Sequence, residues 1–266
     1  MKNTKSSPWN ALLTLIIYSA SSPLLAAETQ LPTTDFPESM VTSNSPTGIS
    51  SAWYDGATAR YSHGVLGDAI EATELHTKLP SGQQISLILD SQHVFEDIAP
   101  RLADMDGDEQ NEIITIRSHQ NKGAQIAVYG ITKAQPNHLS LVASTPYIGK
   151  PYRWLAPIGI ADFNNDGAMD IAYIDRPHLA KLLRIWSYTP AGLQQIAQKS
   201  GLTNHRIGDD FITGGVQVCE EKSSMITVNT DWSRMIKTYF KMGRLISEDI
   251  GAFVNTASAD AALKCG

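Results

Sequence analysis

Two stretches decide how the chain reads: Asp104-Met-Asp106-Gly107-Asp108-Glu109-Gln110-Asn111-Glu112 and Asp162-Phe-Asn164-Asn165-Asp166-Gly167-Ala168-Met-Asp170. Each runs directly into an apolar segment, residues 113–116 and 171–174. In both, side-chain oxygens fall at the first, third, fifth and ninth places of a loop that precedes a strand. That is how a loop presents oxygens to a hard cation.

The likeness extends beyond the acidic residues. Ala99-Pro-Arg-Leu-Ala-Asp104 aligns with Ala156-Pro-Ile-Gly-Ile-Ala-Asp162 with one insertion. Downstream of each acidic loop come an apolar run, a polar loop, a second run and a weaker third. Short apolar or alternating runs recur through the chain at 85–89, 113–116, 125–129, 171–174, 183–186, 225–228 and 236–240. Turn residues separate them, as in an all-β domain. Two weaker copies begin at Asp68 and Asp210 and lack the carboxylate series. Units of roughly 50 residues with about four short strands each predict a small β-propeller. The expected domain spans 49–266, with repeats near 60–95, 96–150, 151–203 and 204–254. Four blades are expected, with room for a fifth. Residues 49–54 read as a closing strand that leaves no sheet edge open. No amphipathic helix is expected after residue 30.

The pattern resembles the FG-GAP/VCBS repeats of integrin-like propellers and of many secreted bacterial proteins. Their shared core is an apolar strand, Asp-x-Asp-Gly-Asp-Gly-x-x-Asp, and a second apolar strand. The resemblance is close over about 96–203 and weak in the two flanking units. It implies two structural calcium ions. One ligand set would be Asp104, Asp106, Asp108 and Glu112 with the Gln110 carbonyl. The other would be Asp162, Asn164, Asp166 and Asp170 with the Ala168 carbonyl. Oxygen ligands favour calcium over zinc or copper. Neither loop is an EF-hand, because Thr115 and Tyr173 stand where that motif needs Glu. The family pattern has Gly at the fourth and sixth places. Here Glu109 takes the sixth place of the first loop and Asn165 the fourth of the second. Glu tolerates a left-handed backbone poorly, so distortion is expected at the first loop.

The termini set the context. In this 266-residue chain, Lys2 and Lys5 precede a short apolar run over 9–20, which is followed by Ser-Ser-Pro and Leu-Leu-Ala-Ala27. This reads as a signal peptide over 1–27, and the apolar run falls short of the ~20 residues a membrane span needs. Residues 28–48, rich in Pro, Ser and Thr, read as a flexible linker. Without the leader the net charge is near −8. That disfavours nucleic acid and anionic membranes as partners. A monomer in the periplasm or outside the cell is expected. In an oxidising compartment the two cysteines, Cys219 and Cys265, read as one disulfide.

The acidic loops also fix the phase of the repeats. Segments that enter the strand before each acidic loop, and the loop that leaves the strand after it, should lie at the end opposite the acidic loops. Those segments carry Arg60, His63, Arg153, Trp154, Arg176, His178, His205, Arg206, Trp232 and Arg234. A basic, aromatic-lined face on an acidic body suits an anionic small molecule, a glycan or a protein partner. The competing expectation is that these residues cross-link neighbouring units by pairing with Asp97, Asp175 and Asp231. No Gly-x-Ser-x-Gly or His-Glu-x-x-His motif is present. A ligand- or partner-binding module is therefore the leading expectation. A His/Arg hydrolase acting on an anionic substrate and a structural adhesion or assembly protein are the alternatives.

Overall fold

The computed structural model describes residues 33–45, 47–220 and 222–265, together with Met1. The expected signal peptide lies outside the described residues. The chain is all-β, built from antiparallel sheets with one short helix among the described residues.

The first sheet contains β1 (Val41–Thr42), β2 (Ser51–Thr58), β3 (Glu71–Lys78), β4 (Gln84–Ile88), β5 (His93–Phe95), β6 (Arg101–Ala103), β7 (Glu112–His119), β8 (Gly123–Thr132) and β9 (Gln135–Ser144). The second is a four-stranded meander of β10 (Leu155–Ala161), β11 (Asp170–Asp175), β12 (Leu182–Thr189) and β13 (Gly192–Ser200). The third holds β14 (Leu202–Thr203), β15 (Gly215–Cys219), β16 (Lys222–Asn229), β17 (Arg234–Lys241) and β18 (Arg244–Ala252). Every apolar run identified in the sequence falls on a strand. The first sheet does not break into separate four-stranded units. The short β5 pairs with both β3, through Ala72 and Phe95, and β7, joining two segments of the chain into one sheet.

The core follows from the two-residue period of the strands. In β7, Ile114 and Ile116 face one cluster and Ile113 the other. In β8, Ile126 and Val128 share a cluster with Ile114, while Ala127 and Tyr129 join Ile113. In β11, Ile171 and Tyr173 pack toward the first sheet, and Ala172 and Ile174 pack with Leu183, Ile185 and Met225 toward the third. Central strands are thus buried on both faces. That is why they read as continuous apolar runs rather than alternating ones. The last strand of each meander, β9, β13 or β18, is largely exposed and polar.

Two expectations about the ends need correction. Residues 33–45 read as linker, yet β1 pairs with β2 and Ser39 is buried. Thr34 Oγ1 donates to the Tyr54 carbonyl and Tyr54 N donates to Ser39 Oγ. Hydrogen bonds from small polar residues carry these contacts, and Phe36 and Val41 pack beside them against the core, too few apolar residues to show a period. A helix, α1 (Thr256–Ala262), also occurs where none was expected. It is too short to show a helical period, and a capping box between Asn255 and Ser258 starts it. Cys219 and Cys265 are disulfide-bonded, tying the segment after α1 to β15.

Candidate functional site

Strand register sets the two ends of the molecule that matter. In the β10–β11 pair, Ala161 opposes Asp170 at one end and Leu155 opposes Asp175 at the other. The acidic loop 162–170 therefore closes one end of the pair. Trp154 and Arg176 flank the other, about 20 Å away at the usual rise per residue. In β6–β7, Ala103 opposes Glu112 at the loop end, and Glu96 N donates to Ile116 O toward the far end.

The two acidic loops have the same backbone. The first-place Asp caps it: Asp104 accepts from the amides of Gly107, Asp108 and Glu109, and Asp162 from those of Asp166 and Gly167. The ninth-place carboxylate reaches back to the second amide, Glu112 to Met105 and Asp170 to Phe163. Left-handed residues stand at the fourth and sixth places of both, Gly107 and Glu109 at φ 79° and 67°, Asn165 and Gly167 at 58° and 88°. Glu109 adopts the required angle, so the expected distortion of the first loop does not occur in its backbone.

Carboxylate atoms of Asp104, Asp106 and Asp108 lie within 4.8 Å of one another. Burial, then the neighbouring carboxylates Asp108 and Asp104, raises Asp106. Burial pushes Glu112 up to about 7 and Asp170 up to about 6. Asp170 is fully buried, and its Oδ1 has no hydrogen-bond partner among the described residues. The carbonyls of Gln110 and Ala168 accept no hydrogen bond among them either. Asn164 donates to Asp166. Both loops border one cleft, which Asp104, Asp106, Gly167 and Ala168 help to line.

At the opposite end a cavity of about 220 Å³ gathers half of the predicted basic and aromatic set: His63, Arg153, Trp154, Arg176 and His178. Tyr152 forms one wall, stacked on Tyr61 with ring centres 5.0 Å apart, and its amide donates to the Tyr61 hydroxyl. Val65, Pro177, Leu179 and Ile207 complete the lining, the last two largely exposed. Gly123 makes this arrangement possible. A side chain there would meet the Lys150 carbonyl at 2.3 Å and the Arg153 carbonyl at 2.9 Å. Tyr152 and Arg176 both hold left-handed backbone, at φ 52° and 48°. Such strain in non-glycine residues costs roughly 1–2 kcal/mol each and collects at sites.

Most charges in the cavity are already matched. His63 Nδ1 hydrogen-bonds to Glu96, which is buried and also accepts from Ser118 Oγ. Arg176 makes two bonds to Asp175, which also receives Arg184. Trp154 Nε1 donates to the Glu96 carbonyl. His178 Nε2 lies 3.1 Å from His205 Nδ1, and burial, then His205, lowers His178 to about 4. Burial also lowers His205, so both rings are neutral at pH 7. Arg153 differs. Its one hydrogen bond among the described residues goes to the Tyr152 carbonyl, and no carboxylate pairs with it.

The rest of the predicted face is divided. His205 is buried beneath the cavity, against Trp154. Arg206 stacks over Trp232, 4.1 Å from the ring centre. Arg234 pairs with Asp249. Arg60 is drawn to the carbonyls of Asp90 and His93. Asp175 pairs with Arg176 and Arg184 of its own sheet and so does not cross-link neighbouring units as expected. Asp97 instead holds Arg101, and Asp231 binds Ser233. Sequence reading singled out neither Leu179 nor Ile207, whose only signal was an apolar residue in a polar loop.

No protein-family model matches the chain, and no curated protein matches it.

Proposed function

We propose that the chain is a calcium-stabilised propeller of the FG-GAP/VCBS kind, exported from the cytoplasm, that binds a small carboxylate ligand. The ligand would sit in the Arg153 cavity. Stacked sheets with buried inner and exposed outer strands support the propeller reading, as do the paired acidic loops. The donor sets fit calcium. They consist of carboxylate, amide and carbonyl oxygens, and the orphaned, buried Asp170 Oδ1 needs a positive partner. Bound there, calcium holds the turn between two strands and neutralises the carboxylates. It takes no part in ligand binding.

The observation that carries the functional reading is Arg153. It is the one cavity cation without a carboxylate, beside flat aromatic walls from Tyr152 and Trp154 and an apolar rim. A guanidinium fork takes a planar carboxylate in a bidentate pair, and the walls take a flat apolar or sugar body. His178 and His205 are neutral and bonded to each other, a state that suits packing rather than proton transfer.

A ligand-observed NMR screen tests this. Aromatic and sugar carboxylates should give saturation transfer with the calcium-loaded protein, and their amides should not. Equal signals from acids and amides would defeat the reading.

A further inference from the structure

A second cavity, of about 280 Å³, lies where the beginning of the described chain meets its last third. Gly208 N donates to the Val65 carbonyl, and Gly67 lies close against Gly208 and Asp210. This brings together Asp68 and Asp210, the leading acids of the two weak repeats. Glu38, Glu71 and Asp97 complete the acidic lining, with Phe36 and Phe95 among the apolar walls. Among the described residues no basic side chain lines it.

Its acids are not equivalent. Asp97 is satisfied by Arg101, the Tyr54 hydroxyl and the Ile116 amide. Asp68 accepts from Ile70 N. Glu71 is only 5% exposed, and its carboxyl has no hydrogen-bond or ion-pair partner among the described residues. A buried, unpartnered acid is compensated either by a proton or by a cation. Burial, then Glu96, Asp68 and Asp97, pushes Glu71 up to about 10, so a proton occupies it at neutral pH.

The shape of the cavity selects the kind of cation. Among the described residues the one set of three acidic groups with ligand atoms within 4.8 Å is Asp104, Asp106 and Asp108. The carboxyls here are spread around apolar walls instead. We infer that this cavity binds an organic ammonium ion, with its charge at Glu71 and Asp210 and its alkyl part against Phe36 and Phe95. Such a ligand would bridge the first sheet and the third. On binding, Glu71 gives its proton to solvent and pairs as a carboxylate.

Calorimetric titration of the full chain with n-butylammonium, with calcium in excess, tests the inference. n-Butanol is the neutral control. The expected result is saturable binding of the amine alone, with a heat that varies with the ionisation enthalpy of the buffer because a proton is released. Glu71→Gln copies the protonated form and so keeps the fold. It should weaken binding by about tenfold and remove the buffer dependence. Asp210→Asn, at an exposed position, should weaken binding about threefold and gives an independent reading should Glu71→Gln fail to fold. Absence of saturable heat, equal binding of butanol, competition by calcium, or unchanged affinity in both variants would overturn it.

Discussion

The acidic loops and the Arg153 cavity sit at opposite ends of the same strand pairs, and they treat charge in opposite ways. At the loops, carboxylates gather and none forms an ion pair with a basic side chain among the described residues, although Lys133 lines a cavity with Asp106, Asp108 and Glu112. Their own backbone amides cap them, and Asp170 Oδ1 is left with nothing. At the cavity, nearly every charge is matched from within: His63 by Glu96, Arg176 by Asp175. The exception is Arg153. The number of charged residues is therefore a poor guide to a ligand. What marks one is the charge the protein leaves uncompensated, negative at one end and positive at the other. The two ends should then fail separately, the loops through stability and the cavity through binding.

The largest expected effect is from chelation. At free calcium one hundred times the dissociation constant, each occupied site stabilises the fold by about 2.7 kcal/mol. Stripping both should lower the melting temperature by several degrees, and calcium, but not magnesium, should restore it. A melt that ignores EDTA would break the comparison at the loop end. Asp170→Ala should abolish roughly half of the calcium-dependent gain, while carboxylate binding at the cavity stays as it was. Loss of both together would mean that the two ends are coupled.

A titration sharpens the same point. In chelated protein the Asp170 carboxyl should titrate near 6, its folded value raised by burial. Because the folded value lies above the unfolded one, this group contributes stability that is full at low pH. That contribution falls as pH rises through the interval from the unfolded value to about 6. With calcium bound the ionised form is favoured, so the carbon-detected NMR titration should move to lower pH. A titration unmoved by calcium would exclude Asp170 as a ligand.

The smallest effect compares the loops with each other. Each needs left-handed residues at its fourth and sixth places, but the first loop puts Glu109 where the second has Gly167. Glu109→Gly should stabilise the chain by about 1 kcal/mol in chemical denaturation, and Gly167→Ala should destabilise it by a similar amount. Equal effects of one sign would show that the loops are not equivalent.

The strands and the loops were legible because their signals are local. An apolar run buried on both faces, as in 171–174, and side-chain oxygens at the first, third, fifth and ninth loop places are visible without tertiary context. The direction of the strands made the far end legible too, which is how Arg153, Trp154, Arg176, His63 and His178 were found together. Charge compensation was not legible. Nothing in the sequence says that Glu96 serves His63 or that Arg206 turns to Trp232, because each pair joins loops far apart in the chain that only the folded sheet brings together. The same holds for β5, three residues long, which fuses two segments into one sheet, and for 33–45, where hydrogen bonds from small polar residues join the packing of only two large apolar side chains, Phe36 and Val41. Glu71 was hidden for a similar reason. At the start of β3 it reads as an ordinary surface acid, and only packing buries it.

The most direct test of the account is calorimetric titration of phenylacetate into calcium-loaded protein, wild type and Arg153→Ala side by side. The account predicts one saturable site per chain in the wild type and affinity at least about tenfold weaker in the variant, with the same melting temperature for both. Equal binding to the two proteins, or none to the wild type, would contradict it.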